Sequence, residues 1–135
     1  MRERRIFPAS KASVRRCRQF ALKAVDDLPA EVQDSVALMV SELATNALVH
    51  ARTEFEVEIE RADRELRVEV TDRGRGAPMA RSPNPSEPHG RGLLIVSELS
   101  DAWGSTKGKG DVGSKVWFTI RFSTMSPSGT AEVGA

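Results

Sequence analysis

Tyrosine is absent from this sequence of 135 residues, and two tryptophans and five phenylalanines make up its whole aromatic content. Proteins that bind single-stranded nucleic acid stack its bases on aromatic side chains, so this class of function is disfavoured. The one cysteine, Cys17, excludes an internal disulfide and a structural zinc site built on several thiolates. No apolar run approaches the roughly 20 residues of a membrane span, so we expect no contact with a membrane.

The remaining composition is that of one globular domain. The length suits a single domain, and 39% hydrophobic residues with ten glycines lie in the range of folded soluble proteins. No apolar stretch follows the basic N-terminal residues, so we expect no signal peptide and a cytoplasmic location. The sequence predicts a domain over residues 1–122, followed by a small, polar, flexible tail over 123–135.

A net charge of +1 conceals an uneven distribution of charge along the chain. Residues 1–25 carry eight Lys or Arg and one Glu, whereas residues 26–72 carry four basic and thirteen acidic side chains. The basic segment is interpreted either as a solvated helix face or as a contact surface for an acidic protein or for nucleic acid. The acidic middle of the chain and the scarcity of aromatics disfavour nucleic acid.

Hydrophobic periodicity predicts an alternation of helices and strands. The first helix is expected to begin after Ser10 as its N-cap and to end near Leu28. The predicted elements are a strand over 4–7, helices over 10–28 and 29–50, a hairpin of strands 54–60 and 65–70, a loop over 73–92, a helix over 93–99, a strand over 101–104, a turn over 107–113 and a strand over 116–122.

Two polar side chains of the second helix lie on the rim of its apolar face. Glu42 and Asn46 are four residues apart, so they lie one turn apart on the same side. Burying a carboxylate and an amide costs free energy unless something, such as a bound ligand, pairs with them. The alternative is an ordinary pair of surface residues in an amphipathic helix, and the helix alone favours this alternative.

An acidic residue and two glycines follow the second predicted strand of the hairpin. Asp72 ends that strand and can accept a hydrogen bond from an exocyclic amine, while Gly74 and Gly76 allow a flat ligand to approach the backbone. Asp and Gly are also ordinary turn residues, so this segment alone is weak evidence for a site.

Two further glycine-bearing segments precede a helix and a strand. Gly90, Gly92 and Leu93 stand at the predicted entry to the short helix, where backbone amides favour phosphate. Ser114 follows a glycine and opens the last strand. The lack of a Gly-Lys-Ser/Thr sequence excludes a P-loop, and no ordinary strand leads into the glycines as a Rossmann fingerprint requires.

The order and spacing of all four segments are more specific than any one of them. Together they resemble the histidine-kinase-like ATPase superfamily, the Bergerat-fold or GHKL proteins, over roughly residues 4–122. The segment from Glu42 to Ala51 is most similar to the anti-sigma-factor serine/threonine kinases. The resemblance implies an α+β two-layer sandwich, with helices on one face of a mixed, mostly antiparallel sheet and ATP between the helices and a lid over 77–92.

The resemblance also implies roles for individual residues. Glu42 would be the general base, and Asn46 would hold Mg²⁺. The residues implied in nucleotide binding are Asn46 itself, Asp72 at the adenine amino group, Gly74 and Gly76 beside the adenine, Gly90, Gly92 and Leu93 near the phosphates, and Ser114 near the adenine end. His50 is interpreted as a helix-end cap rather than a catalyst, and Cys17 as a core residue.

The implied activity is transfer of the ATP γ-phosphate to a hydroxyl of an anti-anti-sigma (STAS-type) protein. Binding of a sigma factor and a homodimeric state are further implications of the resemblance. The alternative is a nucleotide-dependent interaction module that transfers nothing. Glu42 favours the kinase, because a binding module does not need a base at that position.

Overall fold

The computed structural model describes residues 1–50, 52–73, 88–107 and 113–123, with the backbone alone for 88–91. The lid, the turn and the tail predicted from the sequence therefore lie largely outside the described residues. Within them the elements, in chain order, are β1 (Arg2–Phe7), α1 (Ala12–Ala24), α2 (Ala30–His50), β2 (Phe55–Ala62), β3 (Glu65–Asp72), α3 (Pro88–Leu99), β4 (Ala102–Lys107) and β5 (Ser114–Arg121).

The strands form one sheet in the order β1-β2-β3-β5-β4. All four pairings between the described strands are antiparallel, so the expectation of a mixed sheet is wrong for this part of the chain. The reason lies in the position of β5. Strands β3 and β4 run in the same direction, but β5 is inserted between them and pairs with both.

The helices cover one face of this sheet, which confirms the predicted two-layer α+β arrangement. Alternate strand residues such as Val57, Val68 and Phe118 point toward the helices and are fully buried. They pack in one hydrophobic core with residues of α2 such as Met39 and Leu43. Helix α2 packs between α1 and α3 at the centre of the helical layer. Packing of its core face on the sheet fixes the position of Glu42 and Asn46.

Helix α1 starts and ends differently from the prediction. Lys11, not Ser10, is the N-cap, and the helix ends at Ala24, four residues before Leu28. Ser10 still takes part in the helix start, since its carbonyl accepts a hydrogen bond from the Ser13 N–H at 3.0 Å. Ser13 in turn donates its buried hydroxyl to the Pro8 carbonyl at 2.6 Å, which ties the helix start to the end of β1, while no side chain caps the helix.

Helix α3 starts at Pro88, five residues earlier than the predicted start at Leu93. Proline is favoured in the first turn of a helix, where its missing N–H leaves no hydrogen bond unmade. Gly90 and Gly92 conceal this start in the sequence because glycine disfavours helix by about 1 kcal/mol relative to alanine. Both glycines therefore lie inside the helix rather than in a loop before it.

The thiol of Cys17 lies in the protein interior. Cys17 is fully buried in the core, as predicted, and burial raises the pKa of its thiol to about 12. A thiol with that pKa carries almost no reactive thiolate at neutral pH.

Among the helices of the described residues, none has the length and hydropathy that crossing a membrane requires.

Candidate functional site

Helices α2 and α3 meet at a glycine, and the two predicted polar residues of α2 lie against it. A Cβ atom placed on Gly92 would lie 3.0 Å from Glu42 Oε1 and 3.3 Å from Asn46 Nδ2. Only glycine lets the two helices approach this closely without displacing those side chains. Leu93, the next residue, packs against the hydrophobic core and so fixes α3 in this position. The structure thus brings Glu42, Asn46 and Gly92 together.

Asn46 has an unmet hydrogen-bonding requirement. Its Oδ1 atom is buried and has no hydrogen-bond partner among the described residues. Leaving a buried polar atom unpaired typically costs about 1–3 kcal/mol, and a bound ion or water is one of the partners that offset this cost. This observation favours the ligand-binding interpretation of the α2 pair over an ordinary surface pair.

The donor set around Asn46 fits a weakly chelated Mg²⁺. An amide oxygen is one of the hard oxygen donors that this ion accepts, and Mg²⁺ is usually held by one or two protein oxygens together with phosphates and water. The described residues contain no group of three or more His, Cys, Asp or Glu side chains that could enclose a metal. At this position Asn46 would supply one protein oxygen, and oxygens of phosphate and water would supply the others.

Asp72 is anchored at the end of β3 by the opposite residue of β5. It is 7% exposed, and its carboxylate accepts hydrogen bonds from the Ser114 N–H at 3.1 Å and the Ser114 hydroxyl at 2.8 Å. The Gly113 N–H donates to the Asp72 carbonyl at 2.8 Å. Because two carboxylate oxygens offer about four acceptor positions, the group keeps room for a further donor.

The electrostatics of Asp72 involve the end of α2. Burial raises the pKa of Asp72, while the two hydrogen bonds from Ser114 and the charge of His50 oppose this rise without cancelling it. His50 is therefore close enough to interact with the buried carboxylate, beyond its expected part as a helix-end cap. The signal in the sequence was the spacing, since His50 follows Glu42 and Asn46 at the same four-residue interval.

Of the other predicted glycines, two lie in α3 and two lie outside the described residues. Gly90 lies in the first turn of α3, where the first four N–H groups of a helix have no partner within it and favour an anion. Gly92 is the fifth residue of that helix, so what the structure shows of it is close packing on α2. Gly74 and Gly76 lie outside the described residues.

These parts supply a distinct set of chemical functions on the helix-bearing side of the sheet. A buried carboxylate can receive an amine, an unpaired amide oxygen can face a cation, and a helix N-terminus can face an anion. Glu42 adds a half-buried carboxylate that can accept a proton. An amine, phosphates and a divalent cation are the features of a nucleotide whose base carries an exocyclic amine, together with its metal.

Comparison with known proteins agrees with this geometry. The family model described as histidine kinase-like ATPase domain matches residues 7–120, which is most of the chain. Comparison with curated proteins gives no match. The fold and the superfamily predicted from the four segments are confirmed. The chain belongs to the histidine kinase-like ATPase domain family.

Proposed function

We propose that this ATP-binding domain is a protein serine/threonine kinase of the anti-sigma type. It uses ATP with Mg²⁺ and transfers the γ-phosphate to a hydroxyl of an anti-anti-sigma (STAS-type) protein. The observation that carries the proposal is the meeting of Glu42 and the unpaired Asn46 oxygen at Gly92. A proton acceptor beside a cation-binding oxygen is what hydroxyl phosphorylation requires.

In this proposal the chain holds the nucleotide at both ends. The carboxylate of Asp72, fixed by Ser114, accepts a hydrogen bond from the adenine amino group. The backbone amides in the first turn of α3 face the phosphates, and Asn46 would hold Mg²⁺ through its unpaired oxygen. Mg²⁺, when bound, offsets the negative charge of the phosphates.

Glu42 acts on the acceptor rather than on the nucleotide. The proton of the substrate hydroxyl passes to a Glu42 carboxylate oxygen as the hydroxyl oxygen forms its bond to the γ-phosphorus. The bond from that phosphorus to the bridging oxygen breaks, and its electron pair leaves with ADP. Phosphoryl transfer depends chiefly on positioning and charge stabilisation, and the glycine contact fixes the carboxylate beside Asn46.

Asn46→Ala should weaken the binding of Mg-ATP about tenfold or more, with a much smaller effect on binding of ATP without the metal. The change removes the oxygen proposed to face Mg²⁺ and leaves the apolar face of α2 intact. It also removes a buried unpaired atom, so the folded state should be no less stable. Calorimetric titration with and without Mg²⁺ measures the difference, and an unchanged Mg-ATP affinity in a folded variant would contradict the metal assignment.

Larger side chains at position 92 should slow phosphoryl transfer progressively while the protein remains folded. Alanine suits a helix better than glycine, but its Cβ would crowd Glu42 and Asn46. We expect Gly92→Ala to remain folded and to transfer phosphate about tenfold more slowly, and Gly92→Val to be slower still. Thermal unfolding and single-turnover kinetics give the two readouts, and a parental rate in the valine variant would show that the close contact is dispensable.

The direct test of the proposed function is incubation of the purified protein with Mg-ATP and a panel of purified STAS-domain proteins. Mapping of the phosphorylated site should identify one Ser or Thr in one member of the panel. Nucleotide-dependent binding without transfer would instead support an interaction module. Binding of a sigma factor and homodimer formation belong to the same proposal, and co-purification and light scattering test them.

A further inference from the structure

Helix α2 exposes two large aliphatic side chains on the side away from its core face. Leu38 is 44% exposed and Val49 is 52% exposed, whereas Val36, Met39 and Val40 on the core side are fully buried. Isolated exposed aliphatics are common on protein surfaces, so their exposure alone indicates nothing. Their position relative to Glu42 is the informative feature.

Leu38 and Val49 belong to one stripe of the helix surface that includes the proposed base. Leu38, Glu42, Thr45 and Val49 follow the spacing i, i+4, i+7, i+11, which at 100° per residue places them within an arc of about 60°. The stripe is about 16 Å long. The Thr45 hydroxyl donates to the Ser41 carbonyl at 2.8 Å, and its hydrogen is therefore engaged within the helix. Glu42 therefore lies between aliphatic neighbours along the stripe.

Helix α1 places positive charges beside the α2 stripe. Arg18 of α1 donates a hydrogen bond to the Ser41 hydroxyl at 2.9 Å, which shows that α1 borders the outer surface of α2. Lys11 and Arg15 lie on the same side of α1 by helical spacing and are exposed. Among the described residues neither one forms an ion pair, since the recorded pairs involve other cations.

We propose that the α2 stripe is the docking surface for the protein that carries the acceptor hydroxyl. That protein presents an apolar side chain to the stripe and acidic residues to Lys11 and Arg15. The inference rests on the proposed kinase function, because it places the acceptor over Glu42. A substrate hydroxyl reaches the base only if its protein covers this part of α2, and aliphatic side chains with charged residues at the rim are typical of protein interfaces.

An anionic membrane is the competing occupant of a surface that combines aliphatic and basic residues. The carboxylate of Glu42 within the stripe opposes it, because a negative group facing anionic lipid is repelled. Two exposed aliphatics also give little apolar area for insertion into lipid. The structure therefore favours an acidic protein.

The test is the affinity of purified STAS-domain proteins for Leu38→Ala, Val49→Ala and the double variant, measured by calorimetry with Mg²⁺ and a non-hydrolysable ATP analogue. We expect each single change to weaken binding about tenfold and the double change about a hundredfold. Affinity for the analogue itself should not change. Alanine has the highest helix propensity, so the variants should fold. Leu38→Met, which keeps the apolar contact, should lie within about threefold of the parent.

Ile6→Ala is the matched control. Ile6 is 56% exposed on β1, on the face of the sheet that has no helices, and its change should leave the affinity unaltered. Parental STAS affinity in the double variant would overturn the docking surface and leave the kinase proposal standing. Loss of affinity for the ATP analogue in the double variant would also overturn it. The same holds if the double variant keeps its STAS affinity but loses binding to phosphatidylserine vesicles, measured in parallel. A STAS protein that binds through the stripe but is not phosphorylated would overturn the kinase proposal alone, and absence of any STAS binding would overturn both.

Discussion

Glu42→Gln should reduce phosphoryl transfer about 10²–10⁴-fold, the usual contribution of a general base, while ATP binding stays close to that of the parent. Glutamine has the same shape and fits beside Gly92, but it does not take up the proton of the hydroxyl. An interaction made only during the reaction lowers turnover and leaves ground-state affinity unchanged. The variant therefore separates chemistry from nucleotide binding.

Single-turnover kinetics with an unphosphorylated STAS protein that the panel has identified as a substrate, and calorimetric titration with ATP, measure the two effects. Glu31→Gln is the matched control, since Glu31 is an exposed carboxylate in the first turn of the same helix. It should behave as the parent in both assays. Transfer at the parental rate in Glu42→Gln would remove the base from the mechanism. A parent that binds the partner and transfers nothing would leave the interaction module as the function.

Asp72→Asn should weaken nucleotide binding about a hundredfold and leave the fold intact. The asparagine oxygen can still accept the Ser114 N–H, and its amide can donate to the Ser114 hydroxyl oxygen, so the link between β3 and β5 is kept. The adenine amino group loses an anionic acceptor, and hydrogen bonds to charged groups are worth about 1.5–3 kcal/mol. The amide NH₂ facing that amine adds a clash between two donors.

The same substitution should change how stability depends on pH. Burial raises the pKa of Asp72 above that of an unfolded carboxyl, so between these two values the folded protein binds more protons than the unfolded chain. This contribution to stability is complete below the unfolded pKa and is lost as the pH rises through the raised folded pKa. Asp72→Asn has no such loss, so its stability relative to the parent should increase with pH across that window.

Urea denaturation of the nucleotide-free protein at a series of pH values, together with titration by an ATP analogue, tests both expectations. Nucleotide affinity of the parent should rise as Asp72 ionises, and that of Asp72→Asn should stay low throughout. Asp63→Asn, in the exposed turn between β2 and β3, is the control and should follow the parent. Parental affinity in Asp72→Asn would exclude this carboxylate as the adenine acceptor.

The sequence by itself determined the type and order of the elements and the family. Apolar periodicity is a local property, because each helix or strand must place one face in the core. It therefore predicted the two long helices and the strands around Val57, Val68 and Phe118. The four-residue spacing of Glu42 and Asn46 and the position of Asp72 at a strand end are equally local, which is why the segments sufficed to predict the family.

Local sequence patterns did not predict the start of α3. They also did not predict the absence of a parallel strand pair among the described residues. Glycines near Pro88 weakened the helical signal, although packing of the helix on α2 outweighs their propensity. The pairing of β5 with both β3 and β4 depends on the path of the chain between strands. Neither is encoded in any one segment.

Only the tertiary structure decided which distant residues meet. Gly92 faces Glu42 and Asn46 across some fifty residues of sequence, and Ser114 anchors Asp72 from forty-two residues away. It also decided that Leu38 and Val49 stay exposed beside Glu42 while other apolar residues of α2 are buried. Periodicity shows that a side chain prefers burial, but the chain path and the packing of layers determine which neighbours it meets and which apolar groups remain uncovered.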